Sequence, residues 1–412
     1  MPPRRASGAS ARTILSSRRS AEIALFEYGQ EEWEEFAVAK KDFWLYDNAH
    51  RTQSNNSLVF ESKPTHAQLS EIFQMMQDAG GSEPGFINAV EARRRAPWFK
   101  GCNPCVEILL GNKSFCNLTE IDVAKFKGNN AELHYAARLA ARANYRQTCV
   151  NLKDGILQEA WHLNNEFLRL CGVGLTGIAK RPDLSAYDYE YLKRTATGAA
   201  NSMAEELKLP YPKNVTCIKP SGTLSKIMDT TEGAHMPLGK YLFNNVTFNK
   251  LDPIVQKMRD ANYHVFNHPT DDDGVLVCFP VEYIGVPFSK VNGLEVNLES
   301  AIDQLERYKL LQTSWCQQNV SVTISYSPEE AEAIVNWLLL NWDIYVGVSF
   351  LYRADPTKTA KDLGYLYLPQ EVVTQETYEK YVATLLPVSL EDTNSFDELT
   401  DPDCATGACP VK

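Results

Sequence analysis

Val320-Ser321-Val322-Thr323-Ile324-Ser325, then Ser327-Pro328-Glu329-Glu330, then Ile344 to Phe350 after an intervening helical pattern, is the stretch that decides the fold. The first run is short and rich in β-branched residues, which pack well on a pleated surface, and it reads as a strand. Ser327 supplies an N-cap hydroxyl, Pro328 takes the first helical position, where no amide is needed, and Glu330 completes a capping box. The spacing predicts a helix to about Trp342, and Ile344 to Phe350 returns as a strand. Strand, helix and strand in that order imply parallel strands joined by a helical crossover, so the fold class is α/β.

The same alternation extends outward. Leu58-Val59-Phe60, Val215-Thr216-Cys217-Ile218 and Val275 to Phe279 read as short strands, and the loop Glu83-Pro84-Gly85 leads into Phe86-Ile87-Asn88. Apolar spacing predicts helices over Ser20–Lys41, Thr65–Asp78, 131–148, 153–172, 187–207 and Leu298–Trp315, with Gly80-Gly81 stopping the second. Residues 1–16 are small, basic and Ser-rich and read as a disordered lead-in, and 17–389 as the folded body. From Leu390 the chain carries Glu391, Asp392, Asp397, Glu398, Asp401 and Asp403 among few large apolar residues, so 390–412 reads as a mobile acidic tail.

Composition narrows the function classes. At 44% hydrophobic and 23% charged, the 412-residue chain is globular and neither disordered nor fibrous. No apolar run approaches the ~18 residues of a membrane span. The basic residues Arg4, Arg5, Arg12, Arg18 and Arg19 flank no apolar segment, so no secretory signal is present, and a cytoplasmic protein is expected. A net charge of −11 argues against a duplex nucleic-acid footprint, while leaving room for a local anion site.

The chemistry is concentrated in the cysteines. Cys102-Asn103-Pro104-Cys105 is open to three readings. Together with Cys404 and Cys409 it is a loose zinc pattern and an interaction module. Alternatively its thiols are small buried hydrophobes. In the third reading Cys105 and Glu107, two residues apart, point to one side of an extended segment. Cys116 returns to them after a reversal at Gly111-Asn112, giving a redox-active thiol with a built-in base. Lys219-Pro220-Ser221-Gly222-Thr223 follows a short strand and precedes a helical pattern. Its free amides and hydroxyls suit a phosphate, or form an ordinary capped turn. Gly172-Val173-Gly174-Leu175-Thr176-Gly177 lies at a helix end and is not a dinucleotide fingerprint.

Asn103-Pro104-Cys105-Val106-Glu107-Ile108, followed by Cys116-Asn117-Leu118, resembles the finger loop of ribonucleotide reductases, whose pattern is Asn-Pro-Cys-Gly-Glu-Ile and then Cys-Asn-Leu. Ser54-Asn55-Asn56-Ser57, Glu83-Pro84-Gly85-Phe86-Ile87-Asn88, Gly172–Gly177 and Lys219–Thr223 continuing to Glu232-Gly233-Ala234-His235 look familial too, in the family's order. The resemblance implies the second half of a ten-stranded α/β barrel, with a finger loop at about 101–118. It implies that Cys105 becomes a thiyl radical at the ribose 3′-hydrogen, that Glu107 is the base at the 3′-hydroxyl, that Asn103 binds the ribose, and that Cys116 supplies reducing equivalents. Lys219, Pro220, Ser221, Gly222, Thr223, Asn56 and Ser57 would bind substrate. Neither a glycyl-radical segment nor a Tyr-Tyr pair is present, and the chain is similar to the adenosylcobalamin-dependent triphosphate reductases. The cofactor implied is adenosylcobalamin and the substrate a ribonucleoside triphosphate. Cys404 and Cys409 would shuttle electrons from a thioredoxin-like reductant. An upstream half would supply the first five strands and the cysteine that pairs with Cys116. Val106 departs from the family glycine and would strain a glycine conformation. An inactive remnant or non-catalytic partner is therefore the alternative, with the zinc module behind it.

Overall fold

The structure, a computed structural model, describes residues 22–42, 51, 54–80, 82–153, 155–269, 271–353, 355, 357–358, 360 and 367–389. The lead-in 1–16 and the tail 390–412 with Cys404 and Cys409 lie outside the described residues. The sequence reading places no boundary inside 17–389. The chain forms two compact units, one of residues 1–236 and 299–353, the other of 237–298 and 354–412.

In the first unit, β1 (Glu22–Glu27), β2 (Ser54–Phe60) and β3 (Gly85–Asn88) pair in parallel. β3 meets β14 (Gly347–Tyr352) antiparallel, and β14 runs parallel to β13 (Thr323–Tyr326). β6 (Thr119–Asp122) and β7 (Val173–Thr176) pair in parallel, with Glu120 opposite Gly174. Single parallel bridges, Val173 to Thr216 and Ile218 to Val320, tie β7 through the segment 214–218 to the residues preceding β13. Among the described residues the ladder therefore reads β6, β7, 214–218, β13, β14, β3, β2, β1, five segments of one direction and three of the other. Among the described residues its two outer members, β1 and β6, each pair on one side only.

Capping explains where the helices start. Thr65 and Gln68 form a capping box on α2 (His66–Asp78), and Ser185 with Asp188 does so on α6 (Ala186–Leu207). Glu330 accepts the N–H of Ser327 at 2.8 Å and that of Ala301 at 2.7 Å, so one carboxylate closes the starts of both α9 (Ala301–Ser314) and the turn that leads into α10 (Ala331–Leu340). Buried faces of these helices and of α4 (Asn130–Gln147) share one core with the ladder. At its centre Phe73 meets Phe350 at 5.0 Å and Phe86 at 5.6 Å edge-on, each contact contributing about 0.5–1.5 kcal/mol beyond burial.

Two expectations are corrected. Ser20–Lys41 is not one helix: Ile23 to Phe26 form β1 because β2 pairs with them, and only Trp33–Ala37 (α1) is helical. The helix expected at 153–172 is α5, Glu159–Leu168; Arg169 at φ 43° ends it, and the glycine-rich stretch becomes β7. Cys149 and Cys171 consequently lie just beyond α4 and α5, outside them.

The second unit is antiparallel. β8 (Tyr241–Asn249), β9 (Val265–Asn267), β10 (Gly274–Glu282) and β15 (Gln370–Val372) form a sheet in the order β15-β8-β10-β9. The strand read at Val275–Phe279 is the centre of β10, without a helical crossover. No helix among the described residues is long and apolar enough to cross a membrane.

Candidate active site

Two short strands, β4 (Gly101–Cys102) and β5 (Leu109–Leu110), pair antiparallel with Cys102 opposite Leu109, which makes Asn103 to Ile108 the tip of a hairpin. The tip is held from within and from outside. Asn103 accepts the Val106 N–H on its carbonyl at 2.8 Å and the Ile108 N–H on Oδ1 at 3.0 Å. Asn55 Nδ2 donates to the Pro104 carbonyl at 2.7 Å.

The strongest outside support comes from residues the sequence reading missed. Asn319 donates its backbone N–H to the Glu107 carbonyl at 3.2 Å and its Nδ2 to the carbonyls of Val106 at 3.0 Å and Gly347 at 3.3 Å. Its Oδ1 accepts the Tyr308 hydroxyl at 2.9 Å. Gln318 accepts the Leu109 N–H at 3.1 Å and donates to the Cys171 carbonyl at 2.6 Å. The available signal was Gln317-Gln318-Asn319, amides directly before a buried strand, where each polar group needs a partner.

Val106 sits at φ 65°. A left-handed backbone costs an L-residue roughly 1–2 kcal/mol, and a β-branched one is an outlier there. Gly347 makes the placement possible, since a Cβ on it would stand 2.6 Å from Val106 Cγ1. Val106→Gly is therefore expected to raise stability by about 0.5–1 kcal/mol, the relieved strain exceeding the entropy glycine adds to the unfolded chain. Denaturant titration checks it, and a loss of more than about 1 kcal/mol would contradict the strain.

Electrostatics keep the thiols protonated. Glu107 is buried, and its Oε2 has no hydrogen-bond partner among the described residues. Burial raises its carboxyl above the usual range, opposed by Asn103 and Lys219 and reinforced by Glu120. The Cys105 thiol is pushed up to about 11, by burial first and then by Glu107, against the pull of Lys219. Burial and Glu107 raise Cys116 as well, and Cys102 reaches about 12. Redox Cys-X-X-Cys pairs and nucleophilic thiols need the opposite shift. Cys102 packs in an apolar cluster with Ile87, Ala92, Phe99 and Leu109, whereas Cys105 lines a cavity, so the two thiols occupy different surroundings. Cys116 packs against the cluster of Ile108, Leu168, Leu170 and Cys217. Among the described residues no group of three or more His, Cys, Asp or Glu is placed to hold a metal ion.

The cavity holds about 300 Å³ and is lined by hydroxyls, amides and apolar groups, among them Asn56, Ser57, Cys105, Pro220, Asn319 and Ser349. Glu83 is its one charged lining residue among the described residues, and it pairs with Lys40 at 2.7 Å. Of the segment 219–223, Pro220 reaches the cavity. Ser221 and Gly222 follow at φ 69° and 49°, and Thr223 opens the single turn α7 (Thr223–Ile227). The chain reversal packs against Gly233, where a Cβ would meet the Lys219 carbonyl at 2.5 Å. The Lys219 ammonium stands 3.4 Å from the buried Glu120 carboxylate, an opposite charge out of water.

No protein-family model matches the chain. It is 27% identical over 450 aligned residues to the adenosylcobalamin-dependent ribonucleoside-triphosphate reductase of Lacticaseibacillus paracasei, and 25% identical over 452 to that of Lactobacillus leichmannii. Each match covers 96% of this chain and 57% of the relative, so the chain spans about half the length of the curated relatives it matches. A crystal structure of a B12-dependent (class II) ribonucleotide reductase superposes with a TM-score of 0.73 at 23% identity, over 93% of this chain and 56% of that one. The α/β fold is thus similar to that of a class II reductase.

Proposed function

We propose that this chain reduces ribonucleoside triphosphates to 2′-deoxyribonucleotides by a thiyl-radical route, with adenosylcobalamin as cofactor and with a complementary polypeptide. Its relatives, matched over 96% of the chain, are named for that cofactor and substrate. The observation that carries the reading is the hairpin tip: one thiol, kept as S–H, opens on a cavity, and a buried carboxyl lies two residues away.

Cys105, once it has lost its hydrogen atom, takes the 3′-hydrogen of the ribose, and Glu107 takes the proton of the 3′-hydroxyl. The Cys116 thiol protonates the departing 2′-hydroxyl as water. The second thiol gives its hydrogen to C2′, and the two sulfurs close as a disulfide that passes its remaining electron to the C3′ ketone together with the proton held on Glu107. Cys105 then returns its hydrogen atom to C3′ and is a thiyl again. Adenosylcobalamin, when bound, supplies the radical equivalent that removes the hydrogen atom from a thiol. The exposed lining residues Asn55, Ser82, Thr323 and Leu351 would be the ones to meet it, since a corrin exceeds the 300 Å³ of the cavity itself. Cys404 and Cys409 return electrons from a thioredoxin-like reductant on the tail.

The one-sided strands β1 and β6 support a complementary polypeptide, since an unpaired edge invites another strand. Closing a ten-membered ring from this ladder takes two more strands, not the five that the resemblance implies. The non-catalytic reading rests on Val106 and on the part of the relatives' length that the chain does not span; the loop takes the left-handed path with valine in place. A 2′-chloro ribonucleoside triphosphate separates the two readings. Given cofactor and complement, halide release that needs Cys105 is expected, and none at all would favour the non-catalytic protein.

A further inference from the structure

We infer that Lys219 and Glu120 form a buried charge pair beneath the loop and act on it as positioning residues, since Pro220, next to Lys219, lines the same cavity as Cys105. The construction is specific. Glu120 on β6 stands opposite Gly174 on β7. A Cβ on Gly174 would lie 3.0 Å from Lys219 Cγ and 3.4 Å from Cδ, so the lysine stem crosses β7 through the space the glycine leaves. Its ammonium arrives 3.4 Å from Glu120 Oε2, with the two side chains 17% and 0% exposed. This gives the glycine-rich stretch a role: it is the slot for the lysine.

One cation serves several acids here. The Lys219 charge acts on Glu120, Glu107, Cys105 and Cys217. The Glu107 carboxyl is held down by Asn103 of its own loop and by Lys219 and pushed up by Glu120, and its charge in turn raises the thiols of Cys102, Cys105, Cys116 and Cys217. Burial raises the Glu120 carboxyl as well, opposed by Lys219 and Ser221 and reinforced by Asp122. In a poorly hydrated site two carboxyls divide a single ammonium, so the charge on Glu120 withholds Lys219 from Glu107 and Cys105. In the proposed reaction this keeps Cys105 as S–H.

The consequence for catalysis rests on the proposed function, but the pair itself is tested without turnover. The full chain is alkylated with iodoacetamide across the alkaline range, and the rate at Cys105 is read by peptide mass spectrometry. Glu120→Gln should speed alkylation by about threefold to tenfold, because Lys219 is released toward the thiol. Lys219→Met, which keeps the stem, should slow it about tenfold, and in that background Glu120→Gln should lose most of its effect. Lys219→Arg should stay near the wild-type rate. An unchanged or slower rate in Glu120→Gln would overturn the inference, even if Lys219→Met fails to fold. Turnover could fail entirely with these rates as expected, which would count against the reductase reading alone.

Discussion

Cys105→Ser should reduce deoxyribonucleotide formation by at least about a thousandfold in any active assembly, since removing a group on which every later step depends costs rate on that scale or more. An S–H bond is weak enough to give up its hydrogen atom and reform, and an O–H bond is too strong for the same exchange. The fold should not change. Cys105 is half-buried at a cavity wall, and the loop is held by Asn103, Asn55 and Asn319 through groups that the substitution leaves alone. Far-ultraviolet circular dichroism and the denaturation midpoint should therefore match those of the unaltered chain. Sustained turnover by the serine variant would remove Cys105 from the centre of the chemistry.

Asn319→Ala should cost about 2–4 kcal/mol of stability, since it removes three buried hydrogen bonds and leaves the carbonyls of Val106 and Gly347 and the Tyr308 hydroxyl short of a partner. The loss should concentrate at the hairpin, because these contacts hold Val106 in its left-handed conformation against β14. Denaturant titration measures the first effect, and hydrogen exchange at Val106 and Ile108 the second. A change below about 0.5 kcal/mol would show that Asn319 does not brace the loop.

Local rules made much of the fold legible. α2, α6, α9 and α10 begin where hydroxyl caps and Glu330 dictate, because capping is decided within a few residues. β1 was misread because Ile23 to Phe26 is an apolar run too short to show its period, and only pairing with β2 decides it. The second unit's sheet was hidden for a related reason. β8 carries Asn244, Asn245 and Thr247 at its centre, and little apolar alternation announces it. At the site, Cys105 and Glu107 stand out because they are two residues apart. Asn319 and Gln318 act on the hairpin from more than two hundred positions away, and no local pattern encodes that. Likewise, the Glu120 partner of Lys219 lies about a hundred positions away, and no local pattern announces the pair.

The most direct test of the thiyl-radical reading is formation of deoxyribonucleotide from a ribonucleoside triphosphate with adenosylcobalamin and a dithiol. The complementary portion of a related reductase is added, and Cys105→Ser serves as the parallel arm. Product that requires this chain, the added portion and Cys105 together is the result expected. Product that forms equally well in the Cys105→Ser arm, or none with both polypeptides present and folded, would contradict it.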